Sequence, residues 1–266
     1  MDWSPSTRRL AAAALCVVGA LAGCGTGSAV HSPVPATPIP LESSWRAGLF
    51  VDGYGPQGLG PAATSATSSA DPVQVTLAGL SIATEDFGTG YSVKLMPDGN
   101  TLTQSSMRYC GADYPSEKNR VARRLTALYD TNNNRVGPLS DAVEYDTSEH
   151  AAAALDEVRA ELTTCKAHTV VNKGEAQLVV DPQPSDGVLL TNLLPESQRA
   201  VMTQVVTEPS SGSSALIQTL WQQAGPYVVA LTFEGDPKVP FTGTEQEEFN
   251  ALGGKIANRL AQAVAG

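Results

Sequence analysis

The sequence predicts an α+β domain, a twisted antiparallel sheet with two main helices packed on it, preceded by a disordered tether. Three observations lead there. Strand-like runs from Tyr91 onward are joined by short turn signatures. Two stretches, beginning near Thr147 and Thr244, repeat apolar residues every three or four positions. Residues 25–44 and 61–71 consist mostly of Ser, Thr, Ala and Pro, which cannot bury a core.

At the N-terminus, Arg8 and Arg9 precede an uncharged apolar run from Leu10 to Ala22, the layout of a signal peptide. The run is too short for a permanent bilayer-spanning helix, which needs about 20 residues. It ends in Leu21-Ala22-Gly23-Cys24, which resembles the lipobox of bacterial lipoproteins. Residues 1–23 are therefore expected to be removed. Cys24 is then lipidated with palmitate-type chains that anchor the mature chain on the extracytoplasmic face of the cell membrane. Each buried methylene contributes about 0.8 kcal/mol, so two or more chains hold without a membrane-spanning helix. Thr7-Arg8-Arg9-Leu10 also resembles a twin-arginine signal; a plain secretory signal is preferred, because paired arginines are common in any charged leader.

Removal of Asp2, Arg8 and Arg9 moves the formal charge from −10 to −11. An acidic chain without a basic stripe excludes nucleic acid as a partner. Cys16 leaves with the leader and Cys24 takes lipid, so Cys110 and Cys165 are expected to form one disulfide in an oxidising compartment. Closing that loop stabilises by roughly 4 kcal/mol in the chain-entropy account.

The mature chain divides into a lipidated tether and low-complexity linker, 24–72, and one domain, 73–266. Within the tether, Trp45 to Tyr54 is too apolar for a linker and too short for a domain. It either docks on the domain, the preferred reading, or serves as a recognition peptide. Tyr91 to Leu95 reads as a strand ending at the turn Pro97-Asp98-Gly99, where Gly accepts positive φ. Val121 to Tyr129 suits helix or strand by periodicity. The turn cluster Asp130 to Asn134 and the strand-like Ala142 to Tyr145 favour a hairpin.

Thr147 or Ser148 caps a helix whose Ala151, Leu155, Val158, Leu162 and Cys165 share one face. Strands follow at Gln177 to Val180 and Ala200 to Thr207, then a hairpin of Ile217 to Gln222 and Tyr227 to Phe233 around Ala224-Gly225-Pro226. Tyr227, Val229, Leu231 and Phe233 share the core face. Thr244 to Glu247 spells a capping box before Phe249, Leu252, Ile256 and Leu260.

No Gly-x-Ser-x-Gly elbow, phosphate-cradling loop or His-Glu-x-x-His occurs, so no catalytic residue, metal site or cofactor is assigned. His150 and His168 read as surface residues, and Asp130 to Asn134 as a polar turn rather than a calcium loop. Arg120, Arg123 and Arg124 form the one basic cluster. They suit either a ligand's carboxylate or phosphate or neighbouring acids such as Glu117 and Asp113. With Trp221 and Tyr227 as an apolar wall, they are the candidate site for an anionic amphiphile such as a fatty acid or phospholipid.

Tyr109-Cys110-Gly111-Ala112, Pro115-Ser116-Glu117 and Arg120-Val121-Ala122-Arg123-Arg124, with a following helix ending in Cys165, resemble actinobacterial sensor-type lipoproteins related to the PknH-like extracellular sensor domain. The resemblance covers roughly Val73 to the C-terminus. It implies an α+β domain with a central antiparallel sheet, a cleft and ligand binding. That domain carries two disulfides, whereas only Cys110 and Cys165 are available here. Small lipoproteins of the PsbP or Mog1-like type are similar in element order. The expected function is binding of a ligand or envelope protein without catalysis. The alternatives are an envelope hydrolase with an unfamiliar site and an assembly partner with no small ligand.

Overall fold

The computed structural model describes residues 64–65 and 71–265, apart from 104–105, 107–113, 133–134, 173–175, 184–189, 211 and 239–242. The expected leader 1–23, Cys24, the Trp45 to Tyr54 segment and Cys110 lie outside the described residues.

A nine-stranded sheet, antiparallel throughout, has the order β1-β2-β3-β4-β9-β8-β7-β6-β5. The strands are β1 (Thr64–Ser65), β2 (Tyr91–Leu95), β3 (Arg120–Asp130), β4 (Arg135–Tyr145), β5 (His168–Asn172), β6 (Ala176–Gln183), β7 (Arg199–Glu208), β8 (Ser213–Ala224) and β9 (Tyr227–Gly235). β1 is a two-residue edge pairing, so eight strands carry the sheet. The helices are α1 (Pro72–Leu80), α2 (Ser148–Thr164) and α3 (Gly243–Ala265). α2 packs across β4, β9, β8 and β7 on one face, while α1 on β3 and β4, and α3 on β8 and β9, cover the other.

The expected hairpin is the pair β3–β4, with Arg123 opposite Val143 and Ala127 opposite Leu139. The polar connection begins as expected of a turn, with Asn132 N donating to Asp130 Oδ1 at 2.9 Å. The helix expected from Thr147 is α2, whose Thr147 side chain accepts from His150 N. Its apolar stripe Ala151, Ala154, Leu155 and Val158 is buried, and Cys165 caps its C-terminus.

Several expectations are corrected. α1 was not anticipated, although Asp71 caps it through Val73 N at 3.0 Å and Pro72 supplies its first turn. β5 was also missed, as was the burial of the second face of β9. Val229, Leu231 and Phe233 form the expected core, but Val228 and Ala230 are buried too, under α2. β9 is a central strand with helices on both sides, so it has no solvent face. α3 begins at Gly243, which puts Thr244 inside the first turn rather than at the cap. At the Pro97-Asp98-Gly99 turn, the left-handed conformation belongs to Asp98, with φ 56°. Gly99 is needed for close approach instead, because a Cβ there would sit 2.6 Å from the Leu125 carbonyl oxygen.

The larger core lies between α1, α3 and the sheet. Phe249, Leu252, Ile256 and Leu260, spaced as expected, are all buried. Phe249 meets Phe233 edge-on with ring centroids 5.0 Å apart. Gly253 lets α3 settle on β8, since a Cβ there would come within 2.8 Å of both Leu193 and Leu220. The fully buried Gln222 uses that closeness, donating from Nε2 to the Gly253 carbonyl at 2.8 Å and accepting from Leu194 N at 3.1 Å. Phe249→Ala is expected to cost about 3–5 kcal/mol, measured by urea denaturation; a loss below about 1 kcal/mol would mean that α3 does not depend on this contact.

Candidate functional site

Side chains alternate between the faces of a strand. That rule separates the predicted site. Arg123 lies opposite Val143 and points to the α2 face, whereas Arg124 lies opposite Ala142 and points to the α1 face. Trp221 is buried in the α2-side core at 4% exposure, with Ala200, Met202 and Ala230. Tyr227 packs on the opposite core. Arg120, Arg123, Arg124, Trp221 and Tyr227 are therefore not gathered in one cleft; the correction follows from reading three arginines as a cluster without assigning their faces.

Each arginine has an internal task. Arg123 grips Asp141 with Nε at 3.0 Å from both carboxylate oxygens and Nη2 at 2.7 Å from Oδ2. Burial pushes the Asp141 carboxyl above its ordinary value, and the Arg123 guanidinium opposes that shift. Arg120 pairs with Glu117 at 3.0 Å, donates from Nη1 to Ser106 Oγ at 2.6 Å and reaches the Leu102 carbonyl at 3.2 Å. Beside it, Ser116 donates from Oγ at 2.5 Å and from N at 3.2 Å to Glu157 of α2. Tyr145 lies buried beneath this group, and burial together with the Glu117 charge raises its phenol pKa.

On the other face, Arg124 donates to Gln74 Oε1 at 3.2 Å, and Gln74 Nε2 donates to the Arg123 carbonyl at 3.0 Å. Burial lowers the Arg124 pKa. The Tyr227 phenol is raised by burial and by the negative charge of Glu144, its cross-strand neighbour. The histidines have local partners. His150 meets Asp146, and the His168 ring faces the Lys166 carbonyl at 2.9 Å. A further buried carboxylate, Asp86, receives two bonds from Arg259 at 2.6 and 2.9 Å and ties the α1–β2 connection to α3. Among the described residues, no group of three or more His, Cys, Asp or Glu is placed to hold a metal.

The arrangement most suited to binding lies elsewhere on the α2 face, beyond the end that α2 covers. One row across the sheet runs Ala127, Leu139, Thr232, Thr219 and Met202; the next runs Glu234, Ile217 and Gln204; a third runs Ala215, Val206 and Val180. Apolar side chains surround a polar centre in which the Thr219 and Thr232 hydroxyls lie 3.1 Å apart beside Gln204 and Glu234. Apart from Thr232 these side chains are buried, so the band is an interior zone in which a few polar groups converge among apolar ones. Sequence reasoning passed over it, although Gln204 and Glu234 at inward-facing strand positions were a legible signal.

The chain is an α+β domain with one antiparallel sheet between two helical layers. No known family matches it, and no curated protein sequence matches it. Among solved structures it is weakly similar to the extracellular domain of PknH from Mycobacterium tuberculosis, with a TM-score of 0.38 and 16% identity, covering 65% of this chain and 78% of that one.

Breaking the buried Arg123–Asp141 pair from one side strands a charge. Arg123→Met is expected to cost roughly 3–5 kcal/mol, and Arg123→Met with Asp141→Leu much less than the sum of the single changes. Without Arg123, the folded-state pKa of Asp141 stands further above its unfolded value. A raised carboxyl stabilises the fold when protonated and loses that contribution as pH rises through the folded pKa. The Arg123→Met deficit should therefore shrink as pH falls from 7, as followed by chemical denaturation across pH. A deficit independent of pH contradicts this account.

Proposed function

We propose that the chain is a membrane-anchored extracytoplasmic lipoprotein whose α+β domain binds a small amphiphile or an envelope protein without catalysing a reaction. The observation that supports the binding reading is the buried polar centre of the distal band, Gln204, Thr219 and Glu234 enclosed by Leu139, Met202, Ile217 and Val206. An acyl chain or an apolar extended segment suits the flanks, and a polar headgroup or cationic side chain suits the centre. Anchoring is supported by the charged start, the short apolar run and the small-small-Cys ending at Cys24. No described helix is long and apolar enough to cross a membrane.

Pairing of Cys110 with Cys165 belongs to the same reading. Cys165 caps the C-terminus of α2, and Cys110 is the other cysteine of the mature domain. The bond would fasten the 107–113 stretch to the helix.

Protein purified from the membranes of its host and extracted with organic solvent should yield a bound amphiphile, or in-cell crosslinking should recover one dominant envelope protein. Robust turnover of ester, phosphate or peptide substrates, abolished by one polar substitution, would replace this reading with the hydrolase alternative.

Mass spectrometry of the membrane fraction should find residues 1–23 absent and acyl mass on Cys24, and Cys24→Ala should release the protein from membranes. A mature chain with free Cys24 in the aqueous fraction contradicts anchoring. Under denaturing conditions neither Cys110 nor Cys165 should react with a thiol reagent before reduction, and Cys110→Ser should lower stability by roughly 2–5 kcal/mol.

A further inference from the structure

On the face covered by α1 and α3, the end row of the sheet runs Ala122, Glu144, Tyr227 and Ala224 across β3, β4, β9 and β8. It spans three inter-strand steps, about 14 Å. Each helix brings one end to it. α1 starts beside β3, where Gln74 Nε2 donates to the Arg123 carbonyl at 3.0 Å. α3 finishes at the β8–β9 turn, where a Cβ on Gly225 would come 2.6 Å from Val264. Both helix ends offer apolar surface, with Val75 of α1 56% exposed and Val264 of α3 46% exposed.

Glu144 is the acid in the middle of this row, and among the described residues it has no hydrogen-bond or ion-pair partner. The cations of the face serve other groups. Arg124 donates to Gln74, Arg199 donates to the Leu194 carbonyl, and Lys255 and Arg259 both meet Asp86. α3 adds to the negative charge here, because its last carbonyls form the negative end of the helix dipole and no basic residue stands in its last turn. Burial raises the Glu144 carboxyl with no cation opposing the shift, and burial followed by the Glu144 charge raises the Tyr227 phenol.

A partly desolvated carboxylate beside an aromatic ring, close to a helix C-terminus and to exposed valines, matches one ligand chemistry. A protonated amine on an alkyl chain supplies the positive charge, meets the tyrosine ring by cation–π attraction and covers the valines with its methylenes. An anionic headgroup is repelled.

We propose that this row is a binding site for an alkylammonium group, with the ammonium held between Glu144 and Tyr227 and the alkyl chain against Val264. The row lies on the opposite face of the sheet from the distal band and does not depend on that band's role.

In the test, the full chain is titrated with hexylammonium chloride and, separately, with Nα-acetyl-lysine methylamide, which presents the side chain of a partner protein. Backbone amide NMR follows the titration. Saturable shifts at Ala122, Glu144, Tyr227 and Val264 are expected with at least one of the two amines, and the tighter binder distinguishes a free amine from a protein lysine as the source. Uncharged hexanol and anionic hexanoate should give no saturable shift there. Glu144→Gln and, separately, Val264→Ser should weaken binding several-fold. No saturable shift with either amine, or shifts that survive Glu144→Gln, overturn the proposal.

A second measurement keeps a structural role apart from a binding one. Glu144→Gln should melt at or above the temperature of the parent chain, because it removes a partly buried charge that has no internal counterpart. A lower melting temperature reveals a structural partner for Glu144 and overturns the proposal.

Discussion

Helices lie on both faces of the sheet, and that constraint decides what its central strands are able to contain. β4, β9 and β8 sit between α2 on one side and α1 or α3 on the other, so a polar side chain on them costs free energy unless it is hydrogen-bonded inside the protein. The Arg123–Asp141 pair and the Gln222 bonds to Gly253 and Leu194 are direct results. β3 is held from both faces. Arg123 fixes it to β4 under the α2 layer, while Gln74 reaches from α1 to the carbonyl of the same residue and to Arg124. Two neighbouring arginines, alike in sequence, secure opposite sides of one strand.

Local order was largely legible before any coordinates. The β3–β4 hairpin, α2, the strands from 176 onward and the apolar stripe of α3 follow from periodicity and turn chemistry, because each depends on residues close together in sequence. What escaped had a weak or misread local signal. α1 spans nine residues with an Asp-Pro start that reads equally as linker, and β5 spans five residues between two polar stretches. The face of each arginine was also recoverable, since strict alternation separates residues 123 and 124. It was lost by treating charge as a cluster rather than as a pattern.

The distal band illustrates a different limit. Ala215, Ile217, Thr219 and Trp221 share a face within β8, and Leu139, Asp141 and Val143 share one within β4, so each strip is visible alone. Their union into rows requires knowing that β9 lies between them, and no local pattern encodes strand neighbours. Composition was similarly silent on Asp141. An acid within an apolar alternation signals a buried partner, but the identity of that partner depends on the β3–β4 register.

The placement of β9 has a consequence for biogenesis. It follows the other described strands in the chain, yet it joins the β2–β4 ladder to the β5–β8 ladder. Until residues 227–235 are available, β4 and β8 each present an unpaired edge, of 11 and 12 residues, and the two ladders share no backbone hydrogen bond. Long open edges are templates for pairing with other chains. On the proposed export route, a chain threaded outward from its N-terminus stands at the membrane with both edges open until residues 227–235 emerge. Its vulnerability to aggregation and proteolysis is greatest in that interval, before the central strand closes the sheet.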